Sequence, residues 1–273
     1  MRSATLLVVL ALALGACTER TVAPVESIAT RHPDDGVSLQ IQPTPGLYSW
    51  SQGNAPTYMG SNTNGLGQPR VCYLTRISGK FASFNEEVKV YLWASSWYLG
   101  GSSSSVGIGA SARCFTVSSY SGEDTWWEPL NQIVLNKFSE SACFLTSIQG
   151  ELGGTTSLNG DYVKVGYTSN GWVLEGRGTG GSSSQLRARS RCVKPITAYP
   201  PPGNFGWTYW QTGFGPTTTS GSTTFNICPL NHVFGAFIQS TSYVQITPGQ
   251  TTWILSGGNL GPVGGVGTNC FLK

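Results

Sequence analysis

The residues with the clearest capacity for chemistry in this chain are its seven cysteines. Metal binding would need cysteine or histidine ligands at short spacing, but the chain has no CxxC pair. Neither His32 nor His232 lies near a cysteine at ligand spacing. Six of the cysteines instead belong to pairs that recur along the chain, and such thiols form disulfides in an oxidising compartment. We therefore expect disulfide cross-links and no bound metal.

Carboxylates are the next candidates, because hydrolysis of a glycosidic bond needs two of them across a cleft. The acidic residues of the folded part are Glu86, Glu87, Glu123, Asp124, Glu128, Glu140, Glu151, Asp161 and Glu175. None recurs in all copies of the repeat described below, and the chain has no GxSxG or HExxH motif. His232 replaces Arg76 and Ser147 of the other copies, which predicts an exposed strand position. We expect no catalytic residue and no cofactor.

One phrase that opens with a cysteine occurs three times, as CYLTRISGKF, CFLTSIQGEL and CPLNHVFGAF. Each copy continues with a glycine, a valine, a tryptophan nine residues after the valine, and a second cysteine. These residues are Cys72, Gly79, Val88, Trp97 and Cys114, then Cys143, Gly150, Val163, Trp172 and Cys192, then Cys228, Gly235, Val244, Trp253 and Cys270. An internal repeat of this kind indicates three copies of one structural unit.

The pattern within each unit predicts short strands, because apolar residues alternate along it. In the first copy the strands are expected at CYLTRISGKF, VKVYLW, SWYLGG and VGIGASARCF. A β-bulge near Thr75 and Arg76 would bring Cys72, Leu74 and Ile77 to one face. The high glycine content, 36 of 273 residues, also favours strands and turns. We predict an all-β fold of three disulfide-clamped antiparallel modules, arranged as beads in a row or as a pseudo-threefold assembly.

Repetition selects one connectivity among those available to six cysteines. Pairing within each unit gives Cys72–Cys114, Cys143–Cys192 and Cys228–Cys270, and joins the first strand of a unit to its last. Closing such a loop contributes roughly 4 kcal/mol in the chain-entropy model. The recurring tryptophans are expected to pack in the core against these disulfides.

Related sequence also precedes each cysteine phrase. Trp50 aligns with Trp210, and Trp127 is a weaker match in the second copy. The predicted modules therefore span 46–120, 121–198 and 199–273, with a stiff proline-rich joint between the second and the third.

The amino-terminal residues have the composition of an export signal. Arg2 is followed by an apolar run that is too short to span a bilayer, and then by LGAC ending at Cys17. This motif resembles a bacterial lipobox. The resemblance implies that residues 1–16 are a lipoprotein signal peptide and that Cys17 carries diacylglycerol and an acylated (palmitate) amino terminus. Thr18, in place of aspartate, implies sorting to the outer membrane. An ordinary secretory signal is the alternative, and 17–45 is expected to be a flexible tether of roughly 30 Å.

Two groups of residues are candidates for ligand binding. Trp93, Trp126 and Trp207 do not recur, and an exposed ring at these positions could stack on a sugar or anchor a protein contact. Arg187, Arg189 and Arg191 alternate in QLRARSRC and are expected on one outward face, where they could bind an anionic glycan or lipopolysaccharide. The alternatives are partial burial of the tryptophans between modules and a solvated edge strand for the arginines.

The formal net charge of +3 is too small to indicate a nucleic acid partner. The sequence favours an outer-membrane-anchored lipoprotein that acts as a non-catalytic binding or adhesion module for a glycan or a surface protein. A structural component of the cell envelope without a soluble ligand is the alternative, and a carbohydrate-active enzyme is a more distant one.

Overall fold

The computed structural model describes residues 46–104, 107–128, 130–136, 141–153, 160–169, 171–178, 186–194 and 207–272. The regular elements in these ranges are β-strands, so the predicted all-β class is confirmed. No helix in the described part of the chain is long and apolar enough to cross a membrane. The predicted signal peptide, Cys17 and the tether lie outside the described residues.

Each module supplies six strand positions. The first module contains β1 (Tyr48–Ser51), β2 (Thr57–Ser61), β3 (Arg70–Ser78), β4 (Glu87–Trp93), β5 (Ser96–Ser102) and β6 (Gly109–Thr116). The second contains β7 (Ser119–Trp127), β8 (Ile133–Asn136), β9 (Ala142–Gln149), β10 (Tyr162–Thr168), β11 (Gly171–Arg177) and β12 (Arg187–Lys194). Because β7 begins at Ser119, the chain enters this module slightly before the predicted boundary at 120.

The third module has the same order, with two of its strands broken into shorter pieces. Its strands are β13 (Thr208–Gln211), β14 (Thr217–Ser222), β15 (Asn226–Ile227), β16 (His232–Gly235), β17 (Tyr243–Pro248), β18 (Thr252–Gly258), β19 (Gly264–Thr268) and β20 (Phe271–Leu272). Pro229 follows β15 where the other copies have Tyr73 and Phe144. Proline has no backbone N–H to donate to a neighbouring strand, which is consistent with the break at this point.

Apart from β15 and β20, which pair with each other within the third module, the strands form three six-stranded sheets, and each of these combines strands of two modules. Sheet I has the order β1-β6-β3-β17-β18-β14, sheet II has β2-β5-β4-β9-β12-β7, and sheet III has β13-β19-β16-β10-β11-β8. Each module therefore pairs with both of the others. The pseudo-threefold arrangement is confirmed, and beads in a row are excluded, because separate beads would not share sheets.

One antiparallel strand pair joins neighbouring modules in each sheet, and the recurring valine lies at this seam. The three seams place Val88 opposite Ile148, Val163 opposite Val233, and Val244 opposite Ile77. All six of these side chains are fully buried. The valine thus recurs because it packs against the next module.

The recurring glycine has a left-handed backbone in every copy. The φ angles are 104° at Gly79, 110° at Gly150 and 98° at Gly235, a region that favours glycine. Each glycine N–H donates a hydrogen bond to a carbonyl of another module, at Ser242, Glu86 and Asp161 respectively. These glycines therefore link the modules as well as turning the chain.

A ring of backbone hydrogen bonds lies two residues beyond these glycines. Phe81 N–H donates to Phe237 O at 2.9 Å, Phe237 N–H donates to Leu152 O at 2.6 Å, and Leu152 N–H donates to Phe81 O at 3.0 Å. All three side chains are fully buried. The ring closes the assembly around its pseudo-threefold axis.

The disulfides join Cys72 to Cys114, Cys143 to Cys192 and Cys228 to Cys270, which are the pairs that the repeat predicts. The recurring tryptophans are buried, as expected. Their indole N–H groups donate to backbone carbonyls two residues before the first cysteine of each copy, at Arg70, Ser141 and Asn226. Each tryptophan thus holds the backbone two residues before the first cysteine of its copy.

The predicted bulge in the first strand is also confirmed. The register of β3 against β6 shifts between Leu74 and Arg76. As a result Leu74 and Ile77 are both fully buried, although their positions in the sequence have opposite parity.

Candidate ligand-binding site

The outer faces of the three sheets can be compared position by position, because their seams have equivalent registers. Glu87 lies opposite Gln149 in sheet II, Tyr162 opposite Phe234 in sheet III, and Tyr243 opposite Ser78 in sheet I. A residue type that occurs on one sheet only is therefore not required by the fold.

A cavity of about 320 Å³ lies on the outer face of sheet III, at the seam between the second and third modules. Its lining comes from four strands and the loops beside them, and includes Tyr162, Lys164, Glu175, Tyr209, Gln211, His232 and Phe234. Alternation along β10 and β16 turns these side chains outward, while their neighbours Val163 and Val233 point into the core.

Aromatic rings form the main wall of this cavity. The ring of His232 stacks on that of Phe234 with centroids 4.8 Å apart. It also makes edge-on contacts with Tyr162 and Tyr209, each at 5.7 Å. Tyr209 stacks on Trp207 at 5.6 Å and is itself 39% exposed. The wall therefore continues from the half-buried histidine to an exposed tyrosine ring.

Two glycines of β19 make room for these rings. Gly267 lies opposite both Tyr209 and His232, and a Cβ atom there would come within 2.7 Å of the Tyr209 ring. Gly265 lies opposite Gln211 and Phe234, and a Cβ atom there would come within 2.6 Å of the Phe234 ring. The absence of side chains at these two positions allows the rings of the two flanking strands to lie close over β19.

The cavity contains one ion pair and one histidine that stays neutral. Lys164 Nζ lies 3.2 Å from Glu175 Oε1. Burial, with a further contribution from Lys164, lowers the pKa of His232 to about 3, so its imidazole is uncharged near neutral pH. The remaining carboxylate of the lining is Asp161. This balance disfavours an anionic ligand.

The sequence predicts an exposed position for His232, but the side chain is half-buried. The strand does turn it outward, but Tyr162, Tyr209 and Phe234 cover the imidazole. Its Nδ1 atom is buried and has no hydrogen-bond partner among the residues that the structure describes.

The three arginines of β12 have different surroundings and do not form the predicted stripe of outward cations. Arg187 lies over the Trp127 ring at 4.2 Å, and Arg189 forms an ion pair with Glu123 at 3.2 Å. Arg191 is only 8% exposed and donates to Ser121 O. Burial lowers the pKa of Arg191, and its acidic neighbours partly oppose this effect.

The physical reason is the position of β12 in sheet II. This strand lies between β9 and β7, so it is not the edge strand that the alternative interpretation assumed. Arg191 lies opposite Glu123 of β7, where Tyr120, Ser121 and the Trp97 ring enclose its guanidinium.

The three candidate tryptophans differ in their exposure to solvent. Trp93 is 67% exposed, and Trp207 is half-buried beside the cavity. Trp126 is fully buried, so it offers no ring face to a ligand. Its indole donates to the carbonyl four residues later, as those of Trp50 and Trp210 do, so Trp126 is the true counterpart of these two residues. The weaker match at the adjacent Trp127 is therefore a misalignment by one residue.

The sequence analysis did not single out the tyrosine and phenylalanine residues of the cavity wall. A signal was nevertheless present, because aligned copies differ sharply there: Tyr162 corresponds to Glu87, Phe234 to Gln149, and Gly267 to Arg189. A search for differences between copies, rather than for shared residues, would have found the site.

No protein-family model, curated protein or solved structure matches this chain. Within the described ranges, no group of three or more His, Cys, Asp or Glu residues could hold a metal ion. The geometry of the cavity therefore carries the functional argument.

Proposed function

We propose that this protein is a lipoprotein of the bacterial outer membrane that binds a saccharide, without catalysis, in the sheet III cavity. The observation that carries the proposal is the aromatic wall of Tyr162, Tyr209, His232 and Phe234 beside polar groups. The apolar face of a sugar ring packs on aromatic rings, while its hydroxyl groups need nearby hydrogen-bonding partners. Gln211 and the Lys164–Glu175 pair supply such partners.

The size of the cavity supports a small ligand group. At about 320 Å³ it lies at the lower end of the range for small-molecule sites. A stable protein interface instead buries roughly 800 Å² on each partner. A terminal sugar, or a short segment of a glycan chain, fits the cavity better than a protein surface does.

Two features disfavour catalysis at this site. A base with a pKa of about 3, as for His232, accepts protons too weakly to act as a general base near neutral pH. Glu175 is paired with Lys164 and does not stand free to act as a nucleophile. Binding without turnover therefore agrees best with the lining.

Binding of an anionic glycan at Arg187 on sheet II is the second candidate function. Arg187 has a guanidinium that lies on Trp127, and no carboxylate within the described residues forms an ion pair with it. A single arginine on an aromatic ring is a smaller anion site than the stripe of three that the sequence predicts. Binding there would weaken steeply with added salt.

A glycan array probed with the mature chain tests the main proposal. Tyr209→Ser and Phe234→Ser should abolish binding to the saccharides that the parent retains, because each removes a ring of the aromatic wall. Serine suits the fold at both positions, since sheet I carries Ser49 and Ser78 there. Tyr243→Ser is the matched control, since Tyr243 lies on sheet I where Tyr162 lies on sheet III. Equal binding by parent and cavity variants would refute the proposal.

The membrane anchor is tested separately. Cys17→Ser should abolish labelling by a fatty acid precursor and release the protein from the membrane fraction. Continued anchoring of this variant would contradict the lipoprotein assignment, and it would leave the saccharide proposal unaffected.

A further inference from the structure

An exposed cluster of four aromatic rings lies on the outer face of sheet II, away from the cavity. The rings are those of Tyr58 on β2, Tyr98 on β5, and Tyr91 and Trp93 on β4; we call this set the aromatic patch. Tyr98 is central, with ring centroids 5.7 Å from Tyr58, 5.8 Å from Tyr91 and 6.0 Å from Trp93. Trp93 is 67% exposed and Tyr58 is 58% exposed. Tyr91 and Tyr98 are half-buried, so the patch joins two exposed rings to two that are partly covered.

The fold does not require these aromatic residues. The same strand positions carry small or aliphatic residues in the other two modules: Val134 and Thr218 for Tyr58, Val173 and Ile254 for Tyr98, Gly166 and Thr247 for Tyr91, and Thr168 and Gly249 for Trp93. An exposed aromatic ring gains little stability from its own module. Four together, in one copy of three, indicate a surface that is kept for contact with something else.

The turn beside the patch is unusual. Ala94 and Ser95 connect β4 to β5 with φ angles of 47° and 63°. Residues other than glycine at positive φ cost free energy and are concentrated at functional sites. The two-residue turn pairs Trp93 directly with Ser96 and so fixes the position of the most exposed ring.

The charges next to the patch cancel. Lys89 Nζ lies 5.6 Å from the centroid of the Tyr91 ring, and it is held by Glu87 Oε2 at 2.6 Å. Lys89 and Glu87 therefore neutralise each other beside the patch and offer little attraction to an anionic chain or a lipid headgroup. Its exposed members are rings with polar atoms at their edges, and no exposed aliphatic side chain belongs to the patch.

We propose that the aromatic patch is a second binding site, and that its occupant is an uncharged polysaccharide chain. Successive sugar rings would pack on Tyr58, Tyr98 and Trp93, while the tyrosine hydroxyls bond to sugar hydroxyls. The site is distinct from the sheet III cavity, and the inference does not depend on ligand binding there. Two such surfaces on different sheets would allow one molecule to hold two glycan chains, or two segments of one chain.

Native gel electrophoresis through immobilised polysaccharide provides the test. The probes are hydroxyethylcellulose, soluble starch, galactomannan and glycol chitin, with the whole mature chain at salt concentrations from 50 to 500 mM. We expect at least one uncharged probe to retard the parent, with no loss at high salt, because no exposed charge takes part.

The variants use residues that the other modules already carry at these positions. Trp93→Thr and Tyr58→Val should each weaken binding by roughly tenfold, and the triple variant with Tyr98→Val should abolish it. Phe214→Thr is the matched control, because Phe214 is 70% exposed and lies outside the patch. Each patch variant is also made on the Tyr209→Ser background, which removes any retardation through the cavity. Failure of this inference is then distinguished from failure of the proposed function. Thermal midpoints confirm that each variant is folded.

Several results would overturn the inference. These are an absence of retardation of the parent by every probe, full retention by the folded triple variant, an equal loss in Phe214→Thr, or binding that disappears at 500 mM salt. A concentration-dependent increase in mass that Trp93→Thr reverses would show instead that a second copy of the chain covers the patch.

Discussion

Sheets II and III have the same strand pairing, but the outer face of sheet III contains a cavity where that of sheet II is covered by side chains. Strand β12 of sheet II carries Arg187 and Arg189 at the positions where the equivalent strand β19 of sheet III carries Gly265 and Gly267. The arginines are held against Trp127 and Glu123, so they fill the face. The glycines leave space into which His232, Phe234 and Tyr209 lean, and a cavity results. These two differences on one strand open space on sheet III, and the aromatic rings of the neighbouring strands turn that space into a site.

The largest expected effect comes from transferring a sheet II residue to sheet III. Gly267→Arg would place a side chain within 2.7 Å of the Tyr209 ring, so the rings must move. We expect a loss of about 1–3 kcal/mol in the free energy of unfolding, together with loss of saccharide binding. Chemical denaturation and titration with the array ligand measure the two effects.

The reverse exchange, Arg189→Gly, is the control for this comparison. Its ion pair with Glu123 is partly exposed and should contribute less than about 1 kcal/mol. If Gly267→Arg proved as mild as Arg189→Gly, the glycines would not be what opens the cavity.

The next effect distinguishes the arginines within sheet II. Arg191→Ser should lower the free energy of unfolding by about 2 kcal/mol, because it removes a buried guanidinium with its hydrogen bond to Ser121 O and its contacts with the Trp97 and Tyr120 rings. Arg187→Ser removes a more exposed contact with Trp127 and should cost less than about 1 kcal/mol. Denaturation curves of the two single variants would contradict this view if they coincided.

The last comparison concerns the pH dependence of sheet III. The pKa of His232 is about 3 in the folded chain and near its ordinary value of 6.5 when unfolded, so the unfolded state binds the proton first as the pH falls. The contribution of the neutral His232 to the free energy of unfolding is therefore fully present above pH 6.5. It falls between pH 6.5 and 3, by up to about 1.4 kcal/mol per pH unit. The titratable groups around the imidazole are Tyr162, Lys164 and Tyr209, and the same cavity is lined by Glu175 and Asp161. A variant without the imidazole is therefore needed to isolate the effect of His232.

His232→Ser, which introduces the residue that sheet II has at Ser147, provides the reference for that measurement. The variant should lose less stability than the parent between pH 7 and pH 5. Identical slopes for the two proteins would show that the imidazole is not kept neutral by burial.

The repeat allowed much of the fold to be predicted. Cysteine spacing was sufficient for the three disulfides, because a pair that recurs with its surrounding sequence pairs locally. Alternation and the parity change at Thr75 were sufficient for the bulge in β3. The shared valine and glycine marked important positions, but their role between modules appears only when the modules meet.

Surface sites were harder to predict, because a strand pattern tells which side chains share a face and not what covers that face. Arg191 has the alternation of an outward residue, yet β7 packs beside it and encloses it. Trp126 and Trp127 are adjacent, and a one-residue change in alignment exchanges the buried ring with the exposed one.

The sequence by itself determined the all-β class, the three repeats, the cysteine pairs and the buried tryptophans, since these depend on local periodicity and on spacing within one module. The tertiary structure alone decided that the modules share sheets, and which residues therefore meet at each seam. Tyr162 and His232 come from different modules, 70 residues apart in the sequence, and only the pairing of β10 with β16 brings them together. The cavity is a product of that long-range pairing, because no single repeat contains enough of its lining to reveal it.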